Sequence, residues 1–385
     1  MKICFFGTYD KNYSRNQMIF NGLADLGIKY DEVHVDLAVI KLQNKQHLSI
    51  FPVLKRILRK LMLFPEVLKD FKKIKSCDVL FVAYPGHLDM PLAYVVAKLT
   101  KKPLVYDPII TLYEAFTEDF KILKPTSLFA RLLYLYEKMI FNMPNVLIAD
   151  TKMQKDFYHE KFNVPLDKIK IVLLGANDRI YNFSGHINSS EKIKVVYYGL
   201  YNPVHGVEYM VEAARICKDN TNIEFIFVGN GQTYEYNFNL AKKYKLKNIT
   251  FYKDTTEKDG MDLLKSADIF LGLYKKSSTV NRTIPNKVIQ GAALGKAVIT
   301  QEGEVLKTVF TDKKNIYFCK ANDAESLADA ILTLQRDTKL RKAISLNASK
   351  LYLDNFTPEV MGTTLLKICE DTLKLKTKHN TTNLA

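Results

Sequence analysis

No uncharged apolar run in this sequence approaches the roughly 18 residues that a membrane span needs. The first residues, Met-Lys-Ile-Cys-Phe-Phe-Gly-Thr, run straight into a strand pattern and lack the architecture of a signal peptide. Cysteine is sparse: Cys4, Cys77, Cys217, Cys319 and Cys369 are scattered, odd in number and mostly set in apolar sequence. They read as buried small hydrophobes in a reducing compartment, which excludes a disulfide frame and makes cytoplasm the expected location. Several catalytic signatures are absent as well. There is no phosphate-binding Gly-Lys-Ser/Thr loop, no Gly-x-Ser-x-Gly elbow, no HExxH pair and no CxxC. Asp-x-Asp occurs nowhere, which argues against diphosphate chemistry held on a metal. No metal and no cofactor are expected.

What is present is a globular composition, with 47% hydrophobic and 25% charged residues over 385 positions. That length holds about two domains. The formal charge of +15 implies an anionic partner. Part of it sits in Phe51–Lys75, where Lys55, Arg56, Arg59 and Lys60 stand opposite Leu54, Ile57, Leu58 and Leu61 at helical spacing. A basic amphipathic helix suits an anionic membrane interface; a helix packed on the core with a solvated face fits the same pattern. Nucleic acid is not expected, because no binding motif is visible and the cations are not interleaved with aromatics.

Lys2–Phe6 reads as a strand ending at Gly7-Thr8-Tyr9, followed by a helix from about Arg15 and a strand near Tyr30–Val35. Asp78–Ala83, Pro103–Tyr106, Val146–Ala149 and Lys170–Leu174 read as further buried strands, each entering a polar or Gly/Pro loop. After an Asn-, Ser- and Gly-containing connection at Gly175–Glu191, the pattern restarts with strands at Lys194–Tyr198, Ile223–Val228, Ile249–Tyr252 and Ile269–Leu273. Strands alternating with helical segments predict two successive doubly wound α/β domains. In such sheets ligands bind beyond the carboxyl ends of the strands.

The stretch with most chemical content is Ser278–Thr300. It predicts a charged loop, a short helix with Pro285 at its first position, a turn at Gly295 and a buried strand. Ile284 has no oxygen to cap that helix, so the amides of Asn286, Lys287 and Val288 need a partner. A phosphate flanked by Arg282 and Lys287 would serve; Thr283 acting as the cap is the plainer alternative. Gly229-Asn-Gly-Gln232 is half of a dinucleotide fingerprint, with Tyr234 where the third glycine belongs. It reads as a tight strand-to-helix turn that lets a ligand approach. His205, before Gly206 at a helix start, is placed to donate to an anion. His87 lies at the carboxyl edge of the first sheet.

Together these segments resemble the retaining, two-domain glycosyltransferases of the GT-B fold, family 4 or group 1. The resemblance rests on Tyr198-Gly-Leu-Tyr-Asn-Pro-Val-His-Gly206, Val228-Gly-Asn-Gly-Gln232, Ala267-Asp268 and Pro285-Asn-Lys-Val-Ile-Gln290. In the first half it rests on Phe6-Gly-Thr-Tyr-Asp10, Arg15-Asn16, Tyr84-Pro-Gly-His-Leu-Asp89 and Ala149-Asp-Thr151. It implies an α/β fold of two Rossmann-like domains facing each other across a cleft. Residues 1–180 would form the acceptor side and 190–357 the nucleotide-sugar side. A C-terminal helix at 358–376 would pack back on the first domain, ahead of a polar tail at 377–385.

The implied activity is transfer of a sugar from a nucleotide-sugar donor to a glycan or lipid-linked acceptor, in polysaccharide biosynthesis, at the inner face of the plasma membrane. Arg282, His205 and Lys287 would neutralise the leaving diphosphate, which Pro285 and Asn286 cradle at the helix start. His87 would lie near the donor sugar. Gly7, Thr8, Gly199, Gly229 and Gly231 would let backbone approach the donor, Gln290 would meet the ribose, and Arg15 would belong to the acceptor side. Two departures stand out: many members carry glutamates eight positions apart where this chain has Arg282 and Gln290. An Arg cannot accept hydrogen bonds from sugar hydroxyls, so the donor is left open. A nucleotide-sugar epimerase of the same fold and a non-catalytic nucleotide-sugar binder are the competing readings.

Overall fold

The computed structural model describes residues 1–35, 65, 69–119, 122–183, 190, 192–276 and 281–382. Lys55, Arg56, Arg59 and Lys60, expected to face a membrane, lie outside the described residues. The chain divides into two compact units, residues 1–177 with 357–385, and residues 178–356.

The first unit is built on β1 (Ile3–Gly7), β2 (Tyr30–His34), β3 (Val79–Val82), β4 (Leu104–Tyr106), β5 (Val146–Ala149) and β6 (Ile169–Ile171). They form one parallel sheet in the order β2-β1-β3-β4-β5-β6. A strand covered on both faces has to be apolar throughout, and β1, β3, β4 and β5 are buried at every position. Alternation along the strands sends Cys4, Phe6, Leu80, Val82, Leu104 and Tyr106 to one side. There they meet Ile74 of α2 (Phe71–Ser76), Ala93 and Val96 of α3 (Met90–Thr100), Ile140 and Phe141 of α4 (Leu128–Asn142), and Tyr158 of α5 (Lys152–Phe162). Ile3, Phe5, Val79 and Phe81 point the other way, onto Met18, Ile19 and Leu23 of α1 (Ser14–Asp25). Ser127 and Thr151 cap α4 and α5, accepting from the amides of Ala130 and Gln154 at 3.2 and 3.0 Å.

The second unit repeats the scheme with β7 (Ile193–Tyr198), β8 (Ile223–Val228), β9 (Ile249–Tyr252), β10 (Ile269–Leu271), β11 (Ala297–Gln301) and β12 (Tyr317–Cys319). Their order is β12-β11-β10-β7-β8-β9, again all parallel. Its helices are α6 (Val207–Ile216), α7 (Tyr234–Lys243), α8 (Glu257–Lys265), α9 (Asn286–Ala293), α10 (Ala324–Arg336) and α11 (Thr338–Asn355). From β7 the chain winds outward through β8 and β9, then returns to β7's other side and winds through β10, β11 and β12. The winding therefore reverses between β7 and β10. In the first unit it reverses between β1 and β3. Such reversals open a crevice at the carboxyl edge of the sheet, because the connections leave toward opposite faces.

The last helix, α12 (Pro358–Thr382), belongs to the first unit and covers α1. Gly22 of α1 lies against the Pro358 carbonyl and Gly362 against the Gly22 backbone, so neither position has room for a Cβ. The close crossing seats Met361, Leu365 and Cys369 on Met18, Ile19 and Leu23. α12 also runs through most of the stretch expected as a polar tail. No Gly or Pro interrupts residues 363–382, so nothing breaks its backbone ladder.

Candidate active site

The best-built site lies at the switch point of the second sheet. β7 ends at Gly199, whose φ of +140° is open to glycine alone, and a Cβ there would fall on the Lys287 ammonium. Lys287 enters from α9, the helix that follows β10, and its Nζ stands 5.4 Å from the centre of the Tyr197 ring. The Tyr197 hydroxyl donates to the Leu200 carbonyl at 2.7 Å and also meets His205 Nδ1 at 2.9 Å. A hydroxyl has one hydrogen. With that hydrogen on Leu200, Nδ1 must be the protonated nitrogen of a neutral ring, and Nε2 carries the lone pair. Gly229 and Gly231, at the end of β8, turn beside Gly199 and Tyr201.

Two titrations follow from this crowding. Burial, and after it the neighbouring Lys287 charge, push His205 down to about 3. Burial also pushes the Lys287 ammonium down to about 8. At neutral pH the site therefore sets a neutral imidazole beside a poorly solvated cation. His205 was expected to donate to an anion. With its pKa this low it offers Nε2 as an acceptor, and it donates there only once an anion has raised that pKa.

The start of α9 differs from the sequence expectation by one residue. Pro285, with ψ of 131°, is the N-cap, and Asn286 is the first helical residue. No side chain caps the helix, so Thr283 does not. The Val288 amide turns back to the Pro285 carbonyl at 2.9 Å. That leaves the amides of Asn286 and Lys287 without a hydrogen-bond partner among the described residues, at the positive end of the helix. Arg282 sits half-buried three residues before Pro285. On the next turn, Gln290 donates from Nε2 to the Tyr181 hydroxyl at 3.1 Å. Tyr181 and Tyr197 escaped the sequence reading, because a tyrosine's hydroxyl partner is not encoded in local spacing.

The first unit corrects three expectations. At its switch point Asp89 accepts from the Thr8 amide at 2.8 Å and from the Thr8 hydroxyl, and it also crowds Gly7. Gly7 and Thr8 are thus closed off by their own domain instead of presenting backbone to a donor. His87 is 1% exposed and packs against Tyr106 and Phe141. Its Nε2 meets the Ile110 carbonyl at 3.1 Å, turned away from solvent. Beneath it, Glu137 accepts from the Tyr113 amide at 2.9 Å and is pushed up to about 8 by burial. Arg15 was placed on the acceptor side; it is instead buried. Its Nε donates to Asp107 at 2.8 Å and its Nη1 to the Val172 and Leu173 carbonyls at 3.0 and 2.8 Å. Asp107 holds Arg15 in the core, and the Ile110 carbonyl with the Tyr106 and Phe141 rings holds His87 there.

Comparison with solved structures places this architecture in a class. Sucrose-phosphate synthase from Thermosynechococcus elongatus matches with a TM-score of 0.69 at 13% identity, over 97% of this chain and 100% of that one. HepE from Anabaena, in complex with UDP-glucose, matches with 0.68 at 14%, over 96% and 100%. A glycosyltransferase from Rickettsia africae matches with 0.66 at 16%, over 97% and 98%. At these identities the likeness is one of fold. The chain has the GT-B fold, α/β with two six-stranded parallel sheets, as the sequence resemblance implied.

The sequence itself adds a family match. Residues 179–351, nearly the whole second unit, fit the model of the family described as Glycosyl transferases group 1. No curated protein matches the chain.

Proposed function

We propose that this protein is a retaining glycosyltransferase that moves a sugar from a nucleotide-sugar donor to a glycan or lipid-linked acceptor, in surface polysaccharide or glycoconjugate biosynthesis. One observation carries the reading. At the switch point of the second sheet, an uncapped helix start, Lys287 and His205 converge on a glycine turn. That constellation suits a nucleoside diphosphate. The family match covers the same residues.

In the proposed reaction the bond between the anomeric carbon and the diphosphate oxygen breaks, and its electron pair stays on phosphate. The charge that builds there is met by Lys287, by the Asn286 and Lys287 amides, and by Arg282. Contacts that strengthen as the sugar departs lower the barrier rather than merely holding the donor. Gln290, one turn along α9, supports the ribose. With the Lys287 and Arg282 cations and two backbone amides around the diphosphate, the reaction is proposed to need no metal. Among the described residues no three His, Cys, Asp or Glu side chains group as a metal site.

The test is incubation with UDP-, GDP- and ADP-sugars, with and without EDTA, followed by NMR of the anomeric centre in the product. Transfer or hydrolysis with EDTA present and the donor's anomeric configuration kept supports the proposal. Donor isomerisation would make the protein an epimerase, and binding without turnover a non-catalytic subunit.

The Lys287 titration gives a second measurement. Below its free-site pKa of about 8 the ammonium is present for an incoming diphosphate. Above that, each anion bound must first restore a proton, so UDP affinity should weaken by up to about tenfold per pH unit. The diphosphate itself is already fully ionised there, so the loss reports the protein. Calorimetry showing flat affinity across that range would separate Lys287 from the anion.

A further inference from the structure

The first unit carries an apolar surface that none of this chemistry uses. On α4, Leu128, Phe129, Leu132, Leu135 and Met139 are 47–72% exposed. Leu128, Leu132, Leu135 and Met139 follow the spacing i, i+4, i+7, i+11, which gathers them into an arc of about 60° on the helix. That arc is opposite the side that buries Ala130, Glu137 and Phe141. The neighbouring helix on the same sheet face, α3, adds exposed Val95 and Leu99. A row of large apolar side chains on the outer faces of two adjacent helices exceeds the single exposures that soluble proteins ordinarily carry.

The charges around this row identify its partner. Across residues 90–102 and 124–142 the cations are Lys98, Lys101, Lys102, Lys124, Arg131 and Lys138. Glu137 is the single carboxylate there, and it is buried with its oxygens turned onto the Leu112 and Tyr113 amides. The face is thus apolar and positive, with no exposed carboxylate of its own. A second copy packed on α4 would bring Arg131 and Lys138 toward their own equivalents, whereas paired helices need opposite charges at such flanks. An anionic bilayer meets both requirements: its headgroups take the cations and its acyl boundary takes the leucines. We infer that the outer face of α3 and α4 docks this protein on an anionic lipid surface. Lys98 and Arg131 would lie at headgroup level, with Phe129 and the Leu128–Met139 row below them.

The full chain is tested by sedimentation with phosphatidylcholine vesicles containing phosphatidylglycerol, against vesicles of phosphatidylcholine alone. The wild type should bind the anionic vesicles, release with salt, and leave the neutral ones unbound. A Leu128→Ser, Leu132→Ser, Leu135→Ser, Met139→Ser variant should lose roughly hundredfold in partitioning, since each residue withdraws buried methylenes. An Arg131→Gln, Lys138→Gln variant should lose roughly tenfold or more. All the substituted side chains point outward, so melting temperatures should hold, and the two-residue variant stands in if the other is unstable. Binding left intact in both variants would move the contact elsewhere, including to residues 36–64, and overturn the inference. So would failure of the wild type to bind, or a dimer in sedimentation equilibrium that the serine variant dissolves.

Discussion

Lys287→Ala is expected to lower turnover by roughly 10²–10³, the cost of losing one positioned group at a developing oxyanion. The fall should appear in kcat more than in the donor KM, because the diphosphate gains charge only as the sugar leaves. Stability should hold or rise, since the substitution removes a poorly solvated cation from beside Gly199 and Tyr197. A third readout separates this role from a structural one. His205 is held near 3 first by burial and then by the Lys287 charge. Removing that charge should raise the His205 pKa while its hydrogen bond to Tyr197 remains. NMR titration of the imidazole measures this directly. A variant with unchanged turnover and an unchanged His205 titration would take Lys287 out of the site.

The second large effect concerns stability. Arg15→Ala should destabilise the first unit by about 3–5 kcal/mol, because it leaves the Asp107 carboxylate buried without its cation. Both side chains are at most 2% exposed. The guanidinium also bonds two carbonyls just past β6, so one side chain fastens the start of α1 to the exits of β4 and β6. For a unit of this size the melting temperature should fall by roughly 10 °C. Arg15→Met combined with Asp107→Leu should recover most of that loss, since a packed apolar pair replaces a buried ionic one with little penalty. If the single and double variants melt alike, the pair is not what holds these elements together.

The doubly wound architecture was legible because buried parallel strands announce themselves as short apolar runs. Val146–Ala149, Ile223–Val228 and Ile249–Tyr252 fall where the runs do. β12 was missed: at three residues, two of them only partly buried, Tyr317–Cys319 has too little pattern to stand out. Around the site, the glycine turns and the uncapped start of α9 could be read from local chemistry. Burial could not. Arg15 and His87 look like surface polar residues in sequence, and only the distant partners Asp107 and Ile110 place them inside. The same limit hid the Tyr197–His205 contact, which makes the histidine's Nε2 an acceptor while the ring is neutral. It also hid the α4 row, because Leu128–Met139 at helical spacing reads as core until the opposite side is seen to be packed.

The pairing of α12 with α1 has a consequence for how the molecule is made. The first unit closes only when residues 357–382 arrive, after the whole second unit has left the ribosome. Until then Met18, Ile19 and Leu23 lack the cover that Met361, Leu365 and Cys369 later give them. Burying each such side chain stabilises by roughly 1.5–3 kcal/mol, so the nascent first unit waits with a sticky flank while the second, contiguous in sequence, can fold ahead of it. A chain terminated before Pro358 and released would carry every residue of its second unit, yet leave its first unit a substrate for chaperones.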